Sequence, residues 1–198
     1  MNIIYLLFHG LSPYSGISKK ILHQVKGFEA CGHRVSLCTY SIADNGHRVR
    51  MINNEIIEDY GTGKPAAAKR RVSYQCIYRY AVTHQVELIY VRSFHNANPF
   101  TIRLFSKLRK AGIKIAMEIP TYPYDSEYAG FPLVTRLGIQ VDKVFRKTLA
   151  KHVNAIVTFS DYHCIFGQRT IQISNGVDFD SIPLKKTVSK NTSVIHLL

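Results

Sequence analysis

The chain has 198 residues, 46% of them apolar and 20% charged, with a formal net charge of +13. This length suffices for one sizeable domain and the composition excludes a disordered chain; no apolar run reaches the roughly 18 residues that a transmembrane helix needs. The positive charge points to an anionic partner, whether nucleic acid, a phosphorylated small molecule or an anionic membrane face.

Residues 2–8 predict a strand, continuously apolar and Ile/Leu-rich after Asn2, as central parallel strands are. They lack a basic start and a small-residue cleavage site, so they read as a strand rather than a signal peptide. A loop rich in Gly, Ser and Pro follows. Residues 17–32 then place Ile17, Ile21, Leu22, Val25 and Phe28 at helical spacing, closed by Gly32. Residues 34–40 predict a second strand, and Arg48–Ile52 and Glu55–Asp59 two short ones. Residues 64–85 predict one long helix, with Val72, Cys76, Tyr80 and Thr83 inward and Lys64, Lys69, Arg70 and Arg79 solvated. Next come a strand at Leu88–Arg92, a helix at 99–111 and a strand at 113–118. An amphipathic helix is predicted over 133–152, with Val134, Leu137, Val141, Val144, Phe145 and Leu149 on its buried face. A strand at 155–159, a short helix or turn at 161–166 and a last strand at 170–173 complete the pattern.

This alternation predicts an α/β fold, a Rossmann-like, doubly wound and mostly parallel sheet with helices on both faces. Right-handed crossovers put the βα loops along one sheet edge, where ligands bind at the switch point. The expected organisation is one domain over 1–178, a polar, basic linker over 179–191, and the first strand of a second domain over 192–198.

Three loops carry candidate chemistry. The first runs from His9 to Gly16 and leads into a helix, so that Ser15, Gly16 and Ile17 sit at its start. Glycine lets backbone N–H groups approach a phosphate, and the helix N-terminus adds partial positive charge; the alternative is a glycine that merely fits a tight turn. No GxGxxG dinucleotide fingerprint is present. The second loop follows the strand ending at Glu118 and includes Tyr122, Tyr124 and Glu127. Carboxylates and tyrosines together suit a hydroxyl-rich ligand, though such tyrosines also cover neighbouring helices. The third holds Arg92 and His95, placed to meet phosphate or hydroxyl groups, with Asn98 before Pro99 reading as a helix cap. The four cysteines form no CxxC pair, which indicates a reduced, cytosolic setting and no metal site. Ser160 lies in no nucleophile elbow. The clusters Lys69-Arg70-Arg71 and Lys185-Lys186 read as solvated faces without an RNA-binding motif.

Several segments resemble the N-terminal half of the retaining family 4 glycosyltransferases of GT-B fold. These are Ser12-Pro13-Tyr14-Ser15-Gly16-Ile17, Gly32-His33-Arg34-Val35, Ile89-Tyr90-Val91-Arg92, Met117-Glu118 followed by Glu127, Val157-Thr158-Phe159-Ser160, and Ser174-Asn175-Gly176-Val177-Asp178. The likeness departs from the family pattern at Ser15, where a second glycine is usual, and at Ile119-Pro120-Thr121, where many members carry a histidine. The resemblance implies that Ser15, Gly16 and Ile17 approach the diphosphate of a nucleotide-sugar donor. It also implies that Arg92, His95, Glu118, Tyr122, Tyr124 and Glu127 line the side of a glycan or lipid-linked acceptor. Asn175, Gly176 and Asp178 would form the hinge to a donor-binding domain that carries the catalytic acid. No cofactor or metal is implied beyond the donor itself, since fixed positive groups take a metal's role. The expected function is sugar transfer in cell-surface polysaccharide synthesis, cytoplasmic and at the inner membrane face, with these residues inactive alone. The alternatives are a non-enzymatic Rossmann-like binding module and, motivated by charge alone, a nucleic-acid-binding protein.

Overall fold

A computed structural model of the chain describes residues 1–92, 96–123 and 133–174. The elements in chain order are β1 (Asn2–Leu6), α1 (Gly16–Ala30), β2 (Arg34–Ile42), β3 (Arg48–Ile52), β4 (Glu55–Asp59), α2 (Gly63–Val72) and α3 (Gln75–Thr83). They continue with β5 (Leu88–Arg92), α4 (Pro99–Lys110), β6 (Lys114–Ile119), α5 (Leu133–Ala150), β7 (Ala155–Thr158), β8 (Cys164–Ile165) and β9 (Gln168–Gln172). Nine strands form one sheet in the order β4-β3-β2-β1-β5-β6-β7-β9-β8. From β2 to β9 the neighbours run parallel. Antiparallel β3 and β4 extend one side, and β8 turns back on β9 at the other.

Strand alternation sends successive side chains to opposite faces, and here both faces are covered. On one, Ile21 and Val25 of α1 pack on Ile3, Tyr5, Leu7, Tyr90 and Val157. On the other, Ile77 and Ala81 of α3, Leu104, Phe105 and Leu108 of α4 and Leu149 of α5 pack on Ile4, Leu6, Ile89, Val91, Ile115, Met117 and Ile156. This is the doubly wound α/β architecture that the alternating pattern predicts. The chain passes from β1 to β2 on one side and later returns to β5 on the other side of β1. The carboxyl ends of β1 and β5 therefore flank the switch point.

Three local expectations are corrected. The single helix expected over 64–85 is two, because Ser73 is extended (φ −102°, ψ 110°) between α2 and α3. The break lets Tyr74 turn inward, edge-on to Phe8 at 5.7 Å between centroids, while its hydroxyl donates to the Arg71 carbonyl at 2.8 Å. Val72 and Thr83, expected inside, are consequently exposed, and Ile77 and Ala81 are buried instead. In α5, Leu137, Val141 and Val144 face outward at 66%, 44% and 70% exposure. The buried side is Ile139, Asp142 and Leu149, with Phe145 packed on the core. The polar Asp142 hides this face from a hydropathy pattern: its Oδ1 accepts the Ala97 N–H at 2.9 Å and ties the β5–α4 loop to the helix. Residues 161–166, expected as a short helix or turn, hold a short strand, Cys164–Ile165, that turns at Phe166 and Gly167 to pair with β9.

Candidate functional site

The site is built at the carboxyl edge around the switch point. Strand register puts Tyr5 beside Tyr90 and Arg92 beside Glu118, and alternation turns all four toward α1. Glu118 has 0% exposure. Its Oε1 accepts from Arg92 Nη1, and its Oε2 accepts from the Tyr90 hydroxyl at 2.7 Å and from Gln24 Nε2 at 2.9 Å. Gln24 Oε1 in turn accepts the Tyr5 hydroxyl at 2.6 Å. The Tyr5 and Tyr90 rings lie 5.1 Å apart, and Phe28 of α1 is edge-on to Tyr90 at 5.2 Å. Burial, reinforced by the Glu118 carboxylate, pushes both phenols well above their ordinary range, so both stay protonated as donors. A buried charge survives when it is paired and its remaining sites are hydrogen-bonded, and Glu118 meets both conditions.

α1 stands over this network. Its residues Gly16, Lys20 and Gln24 recur every fourth position and share one face. Lys20 Nζ sits 3.7 Å from the centroid of the Phe159 ring, just beyond β7. Partial burial and the nearby Arg92 cation lower its pKa, with Glu118 opposing. Ser15 is the N-cap: its hydroxyl accepts from the Ser18 N–H, and its own N–H donates to the Ser12 carbonyl at 3.1 Å. Ser18 is buried and its Oγ accepts the Ser12 N–H at 2.9 Å, which folds the loop onto the helix start. The first-turn N–H groups of Gly16 and Ile17 have no intrahelical acceptor by helix geometry.

Two glycines differ in what they require. A Cβ on Gly10 would stand 2.8 Å from the Tyr40 carbonyl oxygen, so the loop after β1 can lie against β2 only with glycine there. A Cβ on Gly16 would meet nothing within 4 Å, and its φ is not in the left-handed region. The tight-turn explanation of Gly16 therefore does not hold within the described chain.

The β6 and β7 exits are joined as well. The Tyr122 N–H donates to Ser160 Oγ at 3.0 Å, and the Tyr122 ring is edge-on to Tyr162 and Phe166 at 5.0 and 5.6 Å. Asn98 caps α4, accepting from the Phe100 and Thr101 N–H groups at 2.9 and 3.0 Å, as the Asn-Pro pair predicts.

Of the sequence-predicted residues, Ser15, Gly16 and Ile17 start α1 at the carboxyl edge, Arg92 and Glu118 form the buried couple below α1, and Tyr122 joins the aromatic group beyond β6. His95, Tyr124, Glu127, Asn175, Gly176 and Asp178, together with the expected linker and second-domain strand, lie outside the described residues. Lys20, Gln24 and Tyr5 escaped the sequence reading, and Tyr90 entered it only as part of the Ile89-Tyr90-Val91-Arg92 segment, without a site role. The four-residue spacing from Gly16 was the available signal for the first two. Among the described residues no three metal-ligating side chains converge, and no helix is long and apolar enough to cross a membrane. Comparison with protein-family models, curated proteins and solved structures gives no match.

Chemically, the arrangement presents a capped helix start and one lysine at the rim. Beneath them, a hydrogen-bonded polar network centred on Glu118 holds the strand ends in place. It suits the binding of an anion beside a rigid edge.

Proposed function

We propose that these residues form the acceptor-side domain of a retaining GT-B glycosyltransferase, which receives a sugar from a nucleotide-sugar onto a glycan or lipid-linked acceptor. The observation that carries the reading is Gly16. It begins α1 at the carboxyl edge, and nothing in the described chain occupies the direction of its absent Cβ. A close-approaching ligand is a reason for glycine at such a place, and the helix start favours a diphosphate. Lys20, one turn on, adds a fixed positive charge. In this reading Arg92 and Glu118 are positioning residues, because Glu118 has no exposed surface to offer a substrate. Acceptor contacts fall to the loops that they hold. The charge of +13 suits an acceptor or membrane face bearing phosphate.

The test separates folding from binding. Alanine at Gly16 has room and a better helix propensity, so Gly16→Ala should leave stability unchanged or raise it by up to about 1 kcal/mol. The same change should weaken binding of uridine or guanosine diphosphate sugars, followed by amide NMR shifts at Ser15 to Ser18. Absence of any shift at millimolar donor, or equal binding by the variant, would overturn the donor-contact reading.

A further inference from the structure

Away from α1, on the opposite face of the sheet, four arginines gather. Arg48 and Arg50 are two apart on β3 and so share a face, and Arg50 lies in register with Tyr40 of β2. Arg70 and Arg71 come from the last turn of α2. Arg50 is only 1% exposed. Its Nη1 donates to the Leu7 carbonyl at 2.8 Å, just past the end of β1, and its Nε–H has no hydrogen-bond partner. Arg48 Nη1 donates to the Tyr40 hydroxyl at 2.6 Å, and the Arg70 guanidinium lies over the Tyr40 ring at 4.2 Å. Arg70 Nε is also buried without a partner, whereas Arg71 is exposed. Glu58, in register with Arg50 on β4, has its carboxylate 3.7 Å from Arg79. None of the four arginines is in an ion pair among the described residues.

Like charges brought together in a partly dry place repel, and among the described residues no carboxylate is in contact to offset them. Arg70 registers this: burial first, then its arginine neighbours, depress its pKa, with Tyr40 opposing. The single Tyr40 residue holds two of them, its ring against Arg70 and its hydroxyl accepting from Arg48, and guanidinium forks match phosphate oxygens in geometry and charge. The half-buried Arg48 and Arg70 and the exposed Arg71 form the rim, and Arg50 lies beneath as a fixed charge.

We propose that this cluster is a binding site for a phosphate group borne by a phosphomonoester. The site sits at the same carboxyl edge as Gly16, near the ends of β1 and β2, but on the opposite face of the sheet, away from α1. The inference does not rest on the transferase reading. Its probes contain neither nucleoside nor sugar, and its failure leaves the Gly16 test untouched.

The experiment uses the full chain at low salt. Inorganic phosphate and glycerol phosphate are titrated by calorimetry, with the arginine Nε–H signals followed by NMR. Binding should shift the Arg50 and Arg70 signals and weaken with added sodium chloride. Arg70→Gln should weaken it about tenfold or more, and Lys110→Gln, at the exposed end of α4, should leave it unchanged. Arg71→Gln, at an exposed position, should also weaken it, which keeps the proposal falsifiable if Arg70→Gln does not fold. A second arm compares vesicles of phosphatidylcholine with and without phosphatidic acid. Binding to the acidic vesicles that is lost with Arg71→Gln identifies a lipid headgroup as the source, and binding of glycerol phosphate alone identifies a soluble ester. No binding of any phosphate probe, or equal binding by both arginine variants, overturns the proposal.

Discussion

Glu118 illustrates what one residue can hold. It has no contact with solvent, yet its two oxygens gather Arg92, Tyr90 and Gln24, and so bring β5, β6 and α1 together. Glu118→Ala leaves the Arg92 cation buried and unpaired, which should destabilise the fold by about 3–5 kcal/mol in urea unfolding. Replacing both members by methionine should restore most of that loss, because the cost lies in the orphaned charge and not in the missing pair. The tyrosines beside it make stability depend on alkaline pH. Their folded pKa values are raised, so the native state keeps protons that the unfolded chain releases above its ordinary phenol pKa of about 10. Stability is thus full below that pH and falls above it, by about 1.4 kcal/mol per pH unit for each such group. Cys38, pushed up to about 12 by burial, adds to the same trend from the thiol range upward. A thermal midpoint flat through alkaline pH would refute this account, and Tyr5→Phe should reduce the slope.

At the scale of elements, α5 shows a hydropathy pattern and a packing pattern that disagree. Its outward Leu137, Val141 and Val144 follow helical spacing as faithfully as its buried residues do. Leu137→Ser should therefore change stability by no more than about 0.5 kcal/mol, while Ile139→Ala should cost about 2–5 kcal/mol. Equal effects in denaturant titrations would mean that the buried face has been assigned to the wrong side. α2 and α3 carry a related lesson. Ser73 interrupts the helix because Tyr74 gains more by entering the core beside Phe8 than by continuing the turn into solvent.

For the molecule as a whole, the net charge of +13 acts on stability as well as on partners. Self-repulsion among basic groups strains the compact state, and salt screens it over a Debye length of about 10 Å at 0.1 M. The thermal midpoint should rise by several degrees between low and near-physiological salt. A decrease would indicate that attractive ion pairs dominate instead, of which the described residues show few beyond Arg92–Glu118 and Arg79–Glu58.

The alternation of apolar strands with amphipathic helices was enough to determine the doubly wound class, because a strand buried on both faces must be apolar throughout and its covering helices must be amphipathic. The cap at Asn98 was legible for the same local reason, since a helix start needs its acceptor within three residues; the cap at Ser15 emerged only in the structure. Strand order, the Arg92–Glu118 couple, the arginines around Tyr40 and the true inner face of α5 were not. Each depends on which residues distant in sequence come side by side. Glu118 lies 26 residues from Arg92 and 94 from Gln24. A charged residue buried by such a partner looks, in the sequence, the same as one left in water. Register and crossover decide between the two, and only the tertiary structure contains them.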